Sequence, residues 1–173
     1  MQKLLLAYLK DATLVNFLTL RAAHLAQEGL NPYAGELNFV GTLLAAGEHV
    51  EAAALISRHL IPNYIMSAGT HLELALARAE LAQREKAEFE RFLASQLVRG
   101  IEMTGEGTEF HPFLVTRTSD EYDLLIYRKH RPAVQDLVER GALRLDRIET
   151  QSGEVFWFDI TEISCLMQRP AKP

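Results

Sequence analysis

The chain has 173 residues, 48% of them hydrophobic and 24% charged, a balance that builds a core and excludes a disordered tail, a collagen and a disulfide scaffold. Eighteen basic residues against 23 acidic ones leave a formal net charge of −5, which argues against a nucleic-acid partner, since that class carries a basic face. The one cysteine, Cys165, excludes an intrachain disulfide and a multi-cysteine zinc site. Set beside Ser164 and Leu166, it reads as a small buried hydrophobe rather than a nucleophile.

The apolar run at residues 4–9, between Lys3 and Lys10, is shorter than a signal core of about 7–15 residues or a membrane helix of about 20. The expectation is a cytoplasmic chain with no membrane partner, or a periplasmic or secreted one if a leader has been removed. Leu14, Phe17, Leu18, Arg21, Ala22 and Leu25 then follow helical spacing, with Thr13 as N-cap and Gly29 as terminator. Asn31-Pro32 starts a second helix, with Pro32 at its first position, carrying Leu37, Val40 and Leu44 to a stop at Gly47. A third runs from His49 to Leu60 and is halted by Pro62. Gly69-Thr70 opens a long fourth run to about Arg99, with a stripe of Leu72, Leu74, Ala75, Ala79, Ala82, Phe89, Phe92, Leu93 and Leu97.

Short loops between these helices imply antiparallel hairpins. Gly41 and Ala75 lie 34 residues apart, as do Ala53 and Ala87. A tetratricopeptide repeat places small residues at such positions so that paired helices approach closely. Ser57 and Arg91 stand where that pattern has an aromatic, so the reading stops at repeat-like hairpins.

The period changes after Gly100. Gly105-Glu106-Gly107 reads as a turn or loop, and residues 110–116 as a strand with an edge or bulge at Pro112. Thr118 with Glu121 has capping-box spacing and opens a short helix to Arg128. Residues 133–138 read as strand or helix, with strand favoured. Residues 143–148 alternate, with their apolar side chains on one face, and Gln151-Ser152-Gly153 turns the chain into a returning strand from Val155 to Ile160 that ends at residues 161–163. The fold class is α+β: helical hairpins over residues 1–100, then a small antiparallel sheet with one helix over 101–173. Residues 168–173 read as a tail.

Few constellations carry chemistry. Gly105-Glu106-Gly107-Thr108-Glu109 offers carboxylates and no lysine, so it would repel a phosphate; it reads as a connector or a cation site without EF-hand spacing. No histidine pair has the i, i+4 spacing of a zinc site, and no metal or cofactor is expected. His71, followed by Glu73, reads as a packed helix histidine or a base. His111 reads as an exposed strand residue. Asp120-Glu121-Tyr122-Asp123 puts three carboxylates in one helical turn, either for acid–base work or to complement the helix dipole. The basic stretch at residues 127–131 reads as a solvated loop. Phe156 and Phe158 point to one face of their strand and Trp157 to the other, which requires either internal packing or a partner.

Taken together, Asn16-Phe17, Leu20-Arg21, Asn31-Pro32-Tyr33, His71, Lys86-Ala87, Gly105-Glu106-Gly107, Phe113-Leu114-Val115, Glu121-Tyr122, Gln135-Asp136-Leu137 and Phe158-Asp159-Ile160 resemble elements of an uncharacterised bacterial family, domain of unknown function 4919. That family joins tetratricopeptide-like helices to a small C-terminal α/β region. Its Gly-Asp-Gly is often followed by Lys-Ser or Lys-Thr, where this chain has Thr108-Glu109. The resemblance implies the two-part architecture and brings no activity. The expected function is a non-enzymatic protein–protein interaction module with a protein or peptide partner. The alternative is a small-molecule or metal-binding protein, or a hydrolase-like enzyme, using His71 as base with Glu106, Glu121 and Tyr122, in a site between the helical and β regions. A third reading is a structural subunit that uses Phe156-Trp157-Phe158 as a sheet edge.

Overall fold

The structure, a computed structural model, describes residues 1–166; the tail read at 168–173 lies outside them. The fold is α+β, with helices preceding a four-stranded sheet. Two compact units divide the chain, residues 33–97 and residues 1–32 together with 98–173. The sequence boundary near Gly100 lies close to one edge of this division. The other edge, after Pro32, puts the first two helices in one unit with the sheet.

The unit of residues 33–97 holds α3 (Leu37–Ala45), α4 (His49–Leu55), a π-helical turn (Ile56–Leu60), α5 (Ile61–Tyr64), α6 (Ala68–Glu80) and most of α7 (Arg84–Glu102). Val40, Ala52, Ile56, Tyr64, Leu74 and Ala77 form its core. The helix expected from Pro32 begins only at Leu37. Tyr64 explains the delay: its hydroxyl donates to Ala34 O at 2.8 Å and to Glu36 Oε2 at 2.6 Å, holding the incoming segment as a turn. Pro62 does not halt the third helix. The helical run continues through the π-helical turn into α5, of which Pro62 is the second residue.

The long fourth run is two helices. The first is capped at Ser67, whose Oγ accepts the Thr70 N–H at 3.3 Å. It ends where Gln83 N–H bonds Arg78 O and Ala82 N–H bonds Ala79 O, with Ala82 at φ 59°. That is a Schellman close with alanine in the left-handed position glycine usually takes. Gly47 closes α3 in the same way and matches its expected stop. The repeat argument fails at Gly41, where an added Cβ would meet nothing within 4 Å. In the stripe, Leu72, Phe89 and Phe92 are exposed.

In the other unit, α1 (Gln2–Lys10) and α2 (Leu14–Leu25) meet through Tyr8 and Phe17, ring centroids 5.5 Å apart. Thr13 caps α2 as expected, accepting from Asn16 N–H at 3.3 Å. The buried face of α2 is rotated from the apolar stripe: Phe17, Leu20, Arg21, His24 and Leu25 are inside, while Leu14 and Ala22 are exposed. Arg21 is buried because Val115 O accepts from its Nε and Nη2, at 3.2 and 3.0 Å, and Glu162 takes its Nη1. Inside α7, Gly100 lets the Phe17 ring approach the helix closely; a Cβ there would stand 2.1 Å from the ring.

The sheet has the order β1-β4-β3-β2 and is mixed, not antiparallel. β2 (Pro132–Arg140), β3 (Leu143–Thr150) and β4 (Val155–Asp159) form the expected meander. β1 is only Phe113–Leu114 and runs parallel to β4. The expected strand at 110–116 is shortened because its first half folds back, Glu106 N–H bonding His111 O at 2.9 Å. Gly107 fits here at φ 71°, against the Phe113 ring, and its carbonyl accepts from Trp157 N–H. β4 pairs with β3 along its length and with β1 only at Phe158 and Asp159, so of Phe156-Trp157-Phe158 only Phe158 lies between two strands. Phe158 is fully buried, and Phe156 and Trp157 are half-buried.

Residues 143–148 do not keep one apolar face. Leu145 points to one side, and Asp146 and Ile148 to the other, by the two-residue period of a strand. After Asp159, whose Oδ1 accepts the Thr161 N–H at 2.8 Å, the chain enters a helix, α9 (Thr161–Leu166), instead of extending the strand. With α8 (Ser119–Tyr127), the C-terminal part carries two helices rather than one. Cys165 is exposed on α9, not buried. Among the described residues no helix is long and apolar enough to cross a membrane.

Candidate functional site

The candidate site is built where α8 crosses the sheet beside β2. Thr118 makes no side-chain cap; the expected capping box does not form. Asp120 serves instead, its Oδ2 accepting from Thr116 N–H at 2.9 Å, Thr116 Oγ1 at 2.7 Å and Arg117 N–H at 3.2 Å. This frees Glu121 to turn inward. Burial pushes the Asp120 carboxyl up, against the pull of those donors.

Glu121 is fully buried. Burial raises its carboxyl to about 10; Asp146 on β3 adds to the rise, and Asp120 adds further. At pH 7 Glu121 is therefore a neutral acid, hydrogen-bonded to Asp146. Asp146 is also pushed up, chiefly by burial, against hydrogen bonds from Glu121 and Gln135. Gln135 Nε2, from β2, donates to Glu121 Oε2 at 3.1 Å and to Asp146 Oδ2 at 2.9 Å. The Tyr122 hydroxyl donates to Gln135 Oε1 and closes the network at the surface.

Two of the four sequence candidates, Glu121 and Tyr122, thus come together through Gln135. Asp146 and Gln135 had no signal as site residues beyond a carboxylate at a core-facing strand position. The chemistry of the cluster is limited. Glu121 is 0% and Asp146 5% exposed. The cluster is a buried, hydrogen-bonded link that ties α8 to β3 and β2.

The other two candidates lie elsewhere. His71 belongs to the unit of residues 33–97, where it is buried. Its Nδ1 meets Glu90 Oε2 at 2.6 Å and its Nε2 meets Ile65 O at 3.0 Å, while Arg78 donates to the other Glu90 oxygen. With both ring nitrogens engaged by acceptors, His71 has no free atom with which to act as a base. Glu106 is exposed and faces the exposed His111 ring at 3.8 Å, at the rim of an open cavity of about 490 Å³. Among the described residues no group of histidine, cysteine, aspartate and glutamate is arranged to hold a metal ion. In the basic stretch, residues 128–131 form the expected loop, with Tyr127, Lys129 and Arg131 exposed, while Arg128 pairs with Glu102 at 2.7 Å and lies over the Phe113 ring, and His130 meets Glu154 at 3.0 Å.

What remains open is the edge. β2 is the outermost of the long strands, and among the described residues no backbone hydrogen bond reaches its outer side. Seven of its nine residues are exposed, including Val134 and Leu137 at 52% and 57%. Tyr122 of α8 reaches it through Gln135, and Ile126, one turn further along α8, is 66% exposed. Compared with protein-family models, curated proteins and solved structures, the chain matches none.

Proposed function

We propose that the protein is a non-enzymatic protein–protein interaction module whose docking edge is β2 with the adjoining flank of α8. One observation carries this reading: a nine-residue edge strand whose outer backbone groups have no backbone partner among the described residues, with Leu137 and Val134 exposed on it and Tyr122 reaching it through Gln135. An open strand edge offers main-chain hydrogen bonds, and neighbouring apolar side chains add specificity. The buried link of Glu121, Asp146 and Gln135 holds strand and helix in fixed register, as a preformed docking surface requires.

A photo-crosslinking residue placed at position 137, and separately at 126, tests it in the cells the protein comes from. Discrete protein adducts are expected from both positions and not from the exposed control position Val15 on α2. Yields at 137 and 126 no higher than at 15 would refute the reading.

A further inference from the structure

We infer that the partner at this edge is a second copy of the chain, with the two β2 strands paired antiparallel about a two-fold axis; this rests on the reading of β2 as a docking edge. A two-fold pair opposes residues whose numbers have a constant even sum, because only residues of like hydrogen-bonding parity face each other. Centred on Asp136, the strands would set two Asp136 carboxylates against each other. Centred on Glu139, they would oppose two glutamates. Centred on Val138, they set Val138 against Val138, and Asp136 against Arg140 of the second copy, twice by symmetry. Both groups are available at the surface: the side chain of Asp136 is 55% exposed beside Arg147, and that of Arg140 is 50% exposed beside Glu109. A guanidinium has donors enough to serve both carboxylates.

On the opposite face Leu137 stands across from Glu139 of the second copy and is the diagonal neighbour of its own copy, within reach of a long side chain. The axis stands perpendicular to the sheet, so both α8 helices fall on one face, each with Tyr122 tied to β2 through Gln135. The same patch completes itself on both copies, the mark of an isologous interface. The sheet becomes continuous across eight strands, and its longest open edge is removed.

The test uses the full chain in sedimentation equilibrium over about 1–300 µM, a range that resolves micromolar dissociation constants. Wild type is expected to be dimeric. D136R and R140D each place like charges across the strands twice and should weaken the dimer about tenfold or more. The double variant D136R/R140D restores opposite charges and should recover most of the affinity. Circular dichroism checks that each variant is folded. A wild type monomeric throughout the range overturns the inference. So does a dimer indifferent to both single variants, or one that the double variant does not restore. A monomer whose position 137 still crosslinks a different protein would leave the docking edge standing and remove only the second copy.

Discussion

Replacing Gly100 by alanine sets two magnitudes against each other. Gly100 lies inside α7, and on helix propensity alone alanine would stabilise the chain by about 1 kcal/mol. The new Cβ, however, would stand 2.1 Å from Phe17 Cδ2 and 2.3 Å from Cε2. Ordinary contact begins near 3.4 Å, so the ring must move by more than an ångström. Phe17 is 1% exposed and packed on Tyr8, and has nowhere to go without displacing it. Overpacking a tight core typically costs about 1–3 kcal/mol, and a rigid ring against a helix backbone belongs at the upper end. The expected net loss is about 2 kcal/mol, or about 4–8 °C in melting temperature for a chain of this size. Urea melts followed by circular dichroism measure it. Phe17→Leu supplies the second arm: combined with Gly100→Ala it should lose less than the sum of the two singles, by about 1 kcal/mol or more. A Gly100→Ala chain as stable as wild type, or additivity of the two changes, would refute the close approach of α2 and α7.

Other outcomes follow from the buried ionisable groups. Burial first, then the charges of Arg117 and Arg21, lower His24 to about 4 from an ordinary 6.5. The unfolded chain therefore binds a proton that the folded chain refuses, and stability falls as pH drops from about 6.5 to about 4, with about 2–3 kcal/mol lost between pH 7 and pH 4.5. His24→Gln should remove most of that slope in paired urea melts, and an unchanged slope would count against a neutral buried His24. For Glu121, raised from 4.5 to about 10, the sign is opposite. Its contribution is fully present below about pH 4.5 and is lost progressively as pH rises toward about 10. Glu121→Gln keeps the neutral shape, so its melting temperature should vary less than wild type between about pH 5 and about pH 9; parallel curves would dismiss the neutral-acid assignment. Glu90→Ala leaves both His71 and Arg78 without their carboxylate and should cost about 3–5 kcal/mol. A loss under about 1 kcal/mol would mean that the buried network is not holding α6 to α7.

Much of the fold was legible where the chain carries its own local signals. Thr13 caps α2 with its side-chain oxygen, Gly47 closes α3 at positive φ, and the turn at residues 151–153 joins β3 to β4. Each acts over four or five residues and needs no distant partner. Misreadings fall where the deciding contact is distant or where an atypical residue takes a usual role. Ala82 and Lys129 occupy left-handed closing positions at φ 59° and 64°, without the glycine that announces them. The start of α3 is displaced by the hydroxyl of Tyr64, nearly thirty residues on.

The candidate site divides the same way. Glu121 and Tyr122 could be singled out as a carboxylate and a phenol in one turn of a helix, where complementing the helix dipole is the favoured reading and acid–base work the alternative. Their meaning depends on Asp146 and Gln135, from two other strands, and on the loss of water around Glu121, none of which a linear pattern encodes. His71 was visible as an unusual helix residue, yet only Glu90 and the Ile65 carbonyl make it a structural tie.

By itself, then, the sequence determined an α+β chain of helices followed by strands, with caps and turns where short-range hydrogen bonds and backbone preference decide them. Tertiary structure alone decided that β1 lies parallel to β4, that β2 is the outer strand of the described sheet, and that Glu121 holds its proton. Strand order and burial are set by contacts between distant segments, and the free energy of a charge depends on how much water those contacts remove.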